Sequence, residues 1–227
     1  MKTKIIATIG PASNKNHILK KMVAAGMDIA RINTKYGSVE EYLQITNRLK
    51  KIGHCKILFD IKALKMIKWL KTQNFDYLAV SFAETAFQIK KIRKKFYPRN
   101  IKIISKIETK KGIRNIDSLI KESDGIMVAR GDLGKNISFE KVPLVQKSII
   151  KKCNKKNTMV ITATEMLLSL TYSKVPERSE VSDIANAVLD GSDTLMLSEE
   201  TTIGKHPVLA IKIMKLVIKE TEKQTRK

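Results

Sequence analysis

Between Lys102 and Gly134 two short apolar runs each end in charge: Ile101–Ile104 leads into Lys106 and Glu108, and Gly125–Ala129 leads into Arg130, Gly131 and Asp132. An apolar run that stops at a lysine and a carboxylate is an expensive place for charge, because a buried unpaired ion is strongly disfavoured. Such groups pair with one another or bind a metal. The two carboxylates, Glu108 and Asp132, have oxygen-bearing neighbours and suit a hard divalent cation such as Mg²⁺ or Mn²⁺. Arg31 and Lys106 supply positive charge for a carboxylate, a phosphate or a developing enolate. At Gly131 the missing side chain lets backbone N–H groups approach a carboxylate closely as the next helix begins. The blander alternative is that Glu108 and Asp132 only pair with Lys106 or Arg130, and Arg31 with Asp60 or Glu200.

Groups this far apart in sequence meet only if strand ends converge. Hydrophobic periodicity predicts strands at Lys4–Ile9, Ile29–Ile32, Lys56–Phe59, Tyr77–Val80, Ile101–Ser105, Gly125–Val128, Thr158–Thr162 and Thr194–Leu197. Amphipathic helical patterns alternate with them: Asn16–Ala25, Val39–Lys51, Lys65–Lys71, Thr85–Lys95, Gly112–Lys121, Glu140–Asn154, Arg178–Leu189 and Pro207–Thr221. Eight βα units in a chain of 227 residues predict an α/β fold, one TIM (β/α)8 barrel domain spanning 1–227, near the lower size limit of that fold. A doubly wound open sheet is the runner-up, but no GxGxxG fingerprint accompanies it. In a TIM barrel the chemistry gathers at the C-terminal strand ends. There the prediction collects Thr8, Arg31, Asn33, Asp60, Ser81, Lys106, Glu108, Asp132, Thr164, Glu165, Glu199 and Glu200.

Composition narrows the partners. The formal net charge is +22, from 44 Lys and Arg against 22 Asp and Glu, yet the lysines are spread over every predicted helix. Without aromatic interleaving or a nucleic-acid motif, they read as solvated faces: specific nucleic-acid binding is not expected, whereas attraction of anionic substrates is. No apolar run approaches the roughly 18–20 residues that span a bilayer, and MKTKIIATIGPAS reads as a strand rather than a signal peptide. Cys55 and Cys153 lack metal spacing and predict a reducing, cytoplasmic setting. His17, His54 and His206 lie away from the strand ends and are assigned no catalytic role.

The segments TKIIATIGPAS, GMDIARIN, KIISKIE, SDGIMVARGDLG, ERSEVSDIANAVLDG and MLSEET resemble, in order, the barrel domain of the pyruvate kinase family over nearly the whole chain. The resemblance implies a TIM barrel that binds phosphoenolpyruvate or pyruvate. It implies that Glu108 and Asp132 hold the divalent ion and that Lys106 stabilises the enolate. Gly131, Asp132 and Thr164 would hold the substrate carboxylate, while Arg31 and Ser81 line the phosphate and substrate pocket.

The departures are as specific as the matches. The family inserts a lid domain after a DTKGPEIR-like motif, where this chain reads DIKALK and passes straight to the next helix. The C-terminal domain is expected to be missing too. The monovalent-cation site keeps Asn33 and Asp60, but Lys35, Tyr36 and Ile61 replace its serine, histidine and threonine. Lys35 is therefore expected to place its ammonium where the family holds K⁺, so that K⁺ is not required. Glu165 replaces a glutamine and Glu199 a glycine. With the nucleotide half of the site reduced, nucleotide binding and efficient phosphotransfer are not expected. The favoured expectation is a metal-dependent lyase of pyruvate-enolate chemistry, of aldolase or decarboxylase type, acting on a small 2-oxo acid or phosphoenolpyruvate. The alternatives are a reduced pyruvate kinase and a catalytically inactive binding protein. Helices that would have faced the lost domains are left as a possible homo-oligomer interface.

Overall fold

A computed structural model describes residues 3–62 and 65–224. These close a barrel of eight parallel strands in sequence order. The strands are β1 (Lys4–Thr8), β2 (Ile29–Asn33), β3 (Lys56–Ile61), β4 (Tyr77–Val80), β5 (Lys102–Ile107), β6 (Gly125–Ala129), β7 (Met159–Ala163) and β8 (Thr194–Leu197). Outside them run α1 (Asn16–Ala25), α2 (Val39–Ile52), α3 (Met66–Leu70), α4 (Ala86–Phe96), α5 (Lys110–Arg114), α6 (Ile116–Glu122), α7 (Arg130–Asn136), α8 (Val142–Lys155), α9 (Arg178–Leu189), α10 (Glu199–Thr202) and α11 (Pro207–Gln224).

The alternation of a strand decides which groups face inward. Ile6, Ile29, Leu58, Ala79 and Ile104 belong to the apolar cluster inside the barrel, together with Met127, Ile161 and Met196. Two residues further along, on the same face, come Thr8, Arg31, Asp60, Ser81 and Lys106. The barrel thus has an apolar floor and a polar upper layer. The alternate residues, such as Ile5, Ala7, Ile32, Phe59 and Ile103, pack outward against the helices.

Several strands run past the predicted ends, because Asn33, Asp60 and Lys106 stay in register with their neighbours instead of breaking the ladder. The predicted helix Gly112–Lys121 is two helices, α5 and α6, separated at Asn115, whose amide donates to the Glu84 carbonyl at 2.7 Å. The short α7 and α10 follow directly on β6 and β8 and carry site residues that the periodicity assigns to loops.

At the opposite end of the barrel one device recurs four times. Asp28, Asp76, Asp124 and Asp193, each just before an even-numbered strand, accept from the backbone N–H of Ile5, Ile57, Ile103 and Val160 at 2.8 Å. The same four aspartates donate their own N–H to the carbonyls of those same residues at 2.9–3.0 Å. Among the described residues no helix is long and apolar enough to cross a membrane.

Candidate active site

The upper layer is one connected network. Arg31 donates through Nε to Asp60 Oδ2 at 2.9 Å and through Nη1 to Thr8 Oγ1 at 2.8 Å, with Nη2 in ion-pair range of the same Asp60 oxygen at 2.8 Å. Thr8 in turn donates to the Leu197 carbonyl on β8. Lys106 Nζ reaches both Asp60 oxygens, at 3.1 and 3.2 Å, and donates to Ser81 Oγ at 3.0 Å, while Ser81 donates to Asp60 Oδ1. Glu108 Oε2 accepts from the Phe82 N–H at 2.5 Å. Lys106 Nζ lies 3.0 Å from Glu108 Oε1, within ion-pair range but off hydrogen-bond alignment, so that this buried oxygen accepts no hydrogen bond. All four charged side chains are at most 8% exposed.

Two cations and two anions balance here, and their environments differ. Burial opposes ionisation of Asp60, but the charges of Lys106 and Arg31 outweigh it and hold its pKa below the ordinary carboxylate value. Burial pushes Glu108 up, against the opposing pull of Lys106. Asp60 is therefore held as an anion more firmly than Glu108.

Across the barrel mouth, Gly131 N donates to Thr164 Oγ1 at 3.0 Å, bringing together two of the predicted substrate-binding residues. Asp132 lies beside them on α7, half exposed and paired with Lys135 at 3.2 Å. Among the described residues no contact joins it to Glu108. Thr164 and Glu165 both adopt left-handed backbone, with φ of 71° and 54°. Two groups secure this turn. Arg130 donates to the carbonyls of Thr164 and Glu165, and the fully buried Glu200 accepts from the N–H groups of Met166, Leu167 and Ser198. Arg130, predicted among the strand-end cations, is thus turned into the protein. Its salt bridge to Asp183 on α9 has no local signal, although Asp183 belongs to the ERSEVSDIANAVLDG segment. Glu200→Gln is expected to cost about 1–3 kcal/mol, since a carboxamide must turn a donor toward one of three N–H groups. The urea midpoint of the purified variant measures it, and an unchanged midpoint would show that the carboxylate is dispensable there.

Lys35 does not do what its position predicts. Its Nζ sits 5.0 Å from the Tyr36 ring centroid, and the hydrogen bond to Tyr36 raises its pKa. Among the described residues no contact joins its ammonium to Asn33 or Asp60; only its backbone N–H donates to Asn33 Oδ1. Asp60, meanwhile, is already occupied by Arg31 and Lys106. The expectation that K⁺ is not required therefore has no support in this geometry.

The family model for the pyruvate kinase barrel domain matches residues 1–66 and 59–211. The chain belongs to the pyruvate kinase family. The two matched segments overlap at 59–66. A pyruvate kinase of Thermococcus litoralis is 30% identical over 97% of this chain and 70% of its own length, in an alignment of 331 residues that is longer than the chain itself. Pyruvate kinases of Methanocaldococcus jannaschii and Leishmania mexicana are 45% and 50% identical over 71% and 66% of the chain, which spans 37% and 30% of their lengths. These names overturn the expectation of lyase chemistry in preference to phosphotransfer. That expectation rested on the reduced nucleotide half of the motif, whereas Arg31, Asp60, Ser81, Lys106 and Glu108 meet in one layer.

Proposed function

We propose that this barrel is the phosphoenolpyruvate-binding core of a pyruvate kinase, transferring a phosphoryl group between phosphoenolpyruvate and a nucleoside diphosphate, and that residues 1–227 act as one barrel domain. The observation that carries the reading is the buried layer of Arg31, Asp60, Lys106 and Glu108 with Ser81 and Thr8, held ready at the strand ends. Phosphoryl transfer asks mainly for positioning and charge stabilisation.

In this reading Arg31 holds the phosphoryl group, its fork fixed by Asp60 and Thr8. As the phosphorus–oxygen bond breaks, its electron pair remains on the enolate oxygen, and the Lys106 ammonium stabilises that charge. The Thr164 hydroxyl with the backbone N–H groups of Gly131 and Asp132 would hold the substrate carboxylate, exchanging for it the bonds that Gly131 N–H now gives to Thr164 Oγ1 and that the Thr164 hydroxyl gives to the Ala163 carbonyl. Asp60 keeps both cations oriented without itself taking up a proton. Glu108 and Asp132 are the residues that would hold Mg²⁺ or Mn²⁺. The donor set fits, since both offer hard oxygens and Glu108 Oε1 is buried with no hydrogen bond. Among the described residues no cluster of three or more His, Cys, Asp or Glu could hold a metal ion, so substrate and water oxygens would complete the shell. When bound, such an ion neutralises charge developing on the transferring oxygens.

The test is direct: phosphoenolpyruvate, ADP and Mg²⁺ are supplied, and pyruvate and ATP are measured beside calorimetric binding of phosphoenolpyruvate. Turnover supports the proposal, binding without turnover favours the inactive-protein alternative, and absence of binding sinks the site assignment. Glu108→Gln is expected to weaken Mn²⁺ binding at least roughly tenfold. Mn²⁺ titration followed by electron paramagnetic resonance reads this without turnover, and unchanged affinity would remove Glu108 from the ligand set. A cytoplasmic setting accords with the unpaired thiols, and a relative from Solanum tuberosum is named the cytosolic isozyme.

A further inference from the structure

We propose that Arg130 is a positioning residue: through the carbonyls of Thr164 and Glu165 it holds the Thr164 hydroxyl against the cradle that receives the substrate carboxylate. This rests on the reading of the site given above. The Arg130 side chain is 11% exposed, and its donors are spent inside the protein. Nε and Nη2 donate to the Thr164 carbonyl at 3.2 and 2.6 Å, and Nη2 also to the Glu165 carbonyl at 3.0 Å. Nη1 donates to Asp183 Oδ2 at 2.6 Å and to Gln146 Oε1 at 3.4 Å. A guanidinium committed in this way is no ligand for substrate. It is a strap that ties the loop after β7 to α9.

What the strap holds is a backbone that L side chains rarely adopt. Two consecutive non-glycine residues lie in the left-handed region, and the first, Thr164, is β-branched. Without the strap, the turn relaxes toward right-handed or extended backbone and carries Thr164 Oγ1 away from Gly131 N, now 3.0 Å distant. Because Arg130 immediately precedes Gly131, the strap and the cradle are built from adjacent residues, and one displacement spoils both. Lysine cannot replace the function: a point charge reaches one carbonyl, whereas the planar fork spans two carbonyls and a carboxylate.

The test uses the full chain and phosphoenolpyruvate binding in the presence of Mn²⁺, measured by calorimetry alongside the thermal midpoint. Arg130→Lys is expected to weaken binding roughly tenfold or more. Adding Glu165→Gly is expected to recover part of that loss, because glycine takes a positive φ without strain. A merely structural role would lower the thermal midpoint, leave affinity unchanged and show no recovery, and this result overturns the proposal. Should Arg130→Lys not fold, Asp183→Asn keeps the guanidinium, removes its counter-ion and carries the same expectation of weakened binding. If the parent chain fails to bind phosphoenolpyruvate, the site reading is overturned and the strap falls with it. If the parent binds and the variants bind equally well, the strap alone is overturned.

Discussion

Replacing Lys106 with methionine is expected to abolish useful turnover and to weaken the fold at neutral pH far more than in acid. The side chain's volume is kept and its charge withdrawn, leaving Asp60 with Arg31 as its remaining cation and Glu108 without the ion pair to Lys106. Removing one partner from a buried charge pair costs about 3–5 kcal/mol, and loss of a donor to a developing oxyanion lowers kcat roughly 10²–10³-fold. The pH dependence follows from the carboxylates. In the parent, Asp60 has a depressed pKa, so its stabilising contribution is present above the ordinary carboxylate value and is lost as pH falls through the depressed one. In the variant Asp60 loses its strongest opposing charge, and Glu108, already raised by burial, rises further. A carboxyl raised in the folded state is favourable when protonated and destabilises as pH climbs through its folded value. The gap between parent and variant should therefore widen as pH rises above the ordinary carboxylate range, as read from urea midpoints. A gap of constant size would mean that packing, not charge, is what Lys106 supplies.

Asp60→Asn carries the second large effect. Asp60 is the hub on which both cations converge, with Arg31 at 2.8–2.9 Å and Lys106 at 3.1–3.2 Å. The carboxamide is isosteric, but it presents an N–H₂ to a donor and leaves the two cations with only Glu108 between them. The single substitution is expected to cost about 3–5 kcal/mol. Combining it with Lys106→Met removes a cation and an anion together, so the double variant should fall short of the summed single losses by about 0.5–3 kcal/mol. Urea unfolding of all four proteins completes the cycle. Additive losses would show that Asp60 and Lys106 do not share one network.

The fold was legible because the chain repeats one pattern: a four- to six-residue apolar run, then an amphipathic helix. The upper layer was legible as residue types at strand ends, and Lys106, Glu108, Arg31, Asp60 and Ser81 do meet. Its internal logic was less visible. Charge reads as the end of a strand, so Asn33, Asp60 and Lys106 were predicted to lie just beyond strands that in fact include them. Inside a barrel, cross-strand partners neutralise what would otherwise stop the ladder. The place of the Lys35 ammonium was not legible for a related reason: position in a motif does not fix where four rotatable bonds put it, and it lies 5.0 Å from the centroid of the neighbouring Tyr36 ring. The strap from Arg130 to Asp183 and the acceptor role of Glu200 were hidden because each joins segments more than thirty residues apart, with no local periodicity to announce them.

The four aspartates at the foot of the barrel carry an implication for how the chain can be divided. Each couples an even strand to the odd strand before it through the same pair of bonds. The Asp28 and Asp193 carbonyls then accept from Lys56 and Lys4, which begin the next odd strands around the ring. The described barrel is in that sense built of four strand-pair staves, each tied by its aspartate at the end away from the buried charged layer. A stave boundary, such as the turn at Gly53–Cys55 between α2 and β3, is a place where the ring can be reopened and its old termini joined. Such a permuted chain is expected to keep the bonds of the upper layer while beginning its synthesis a quarter-turn further around.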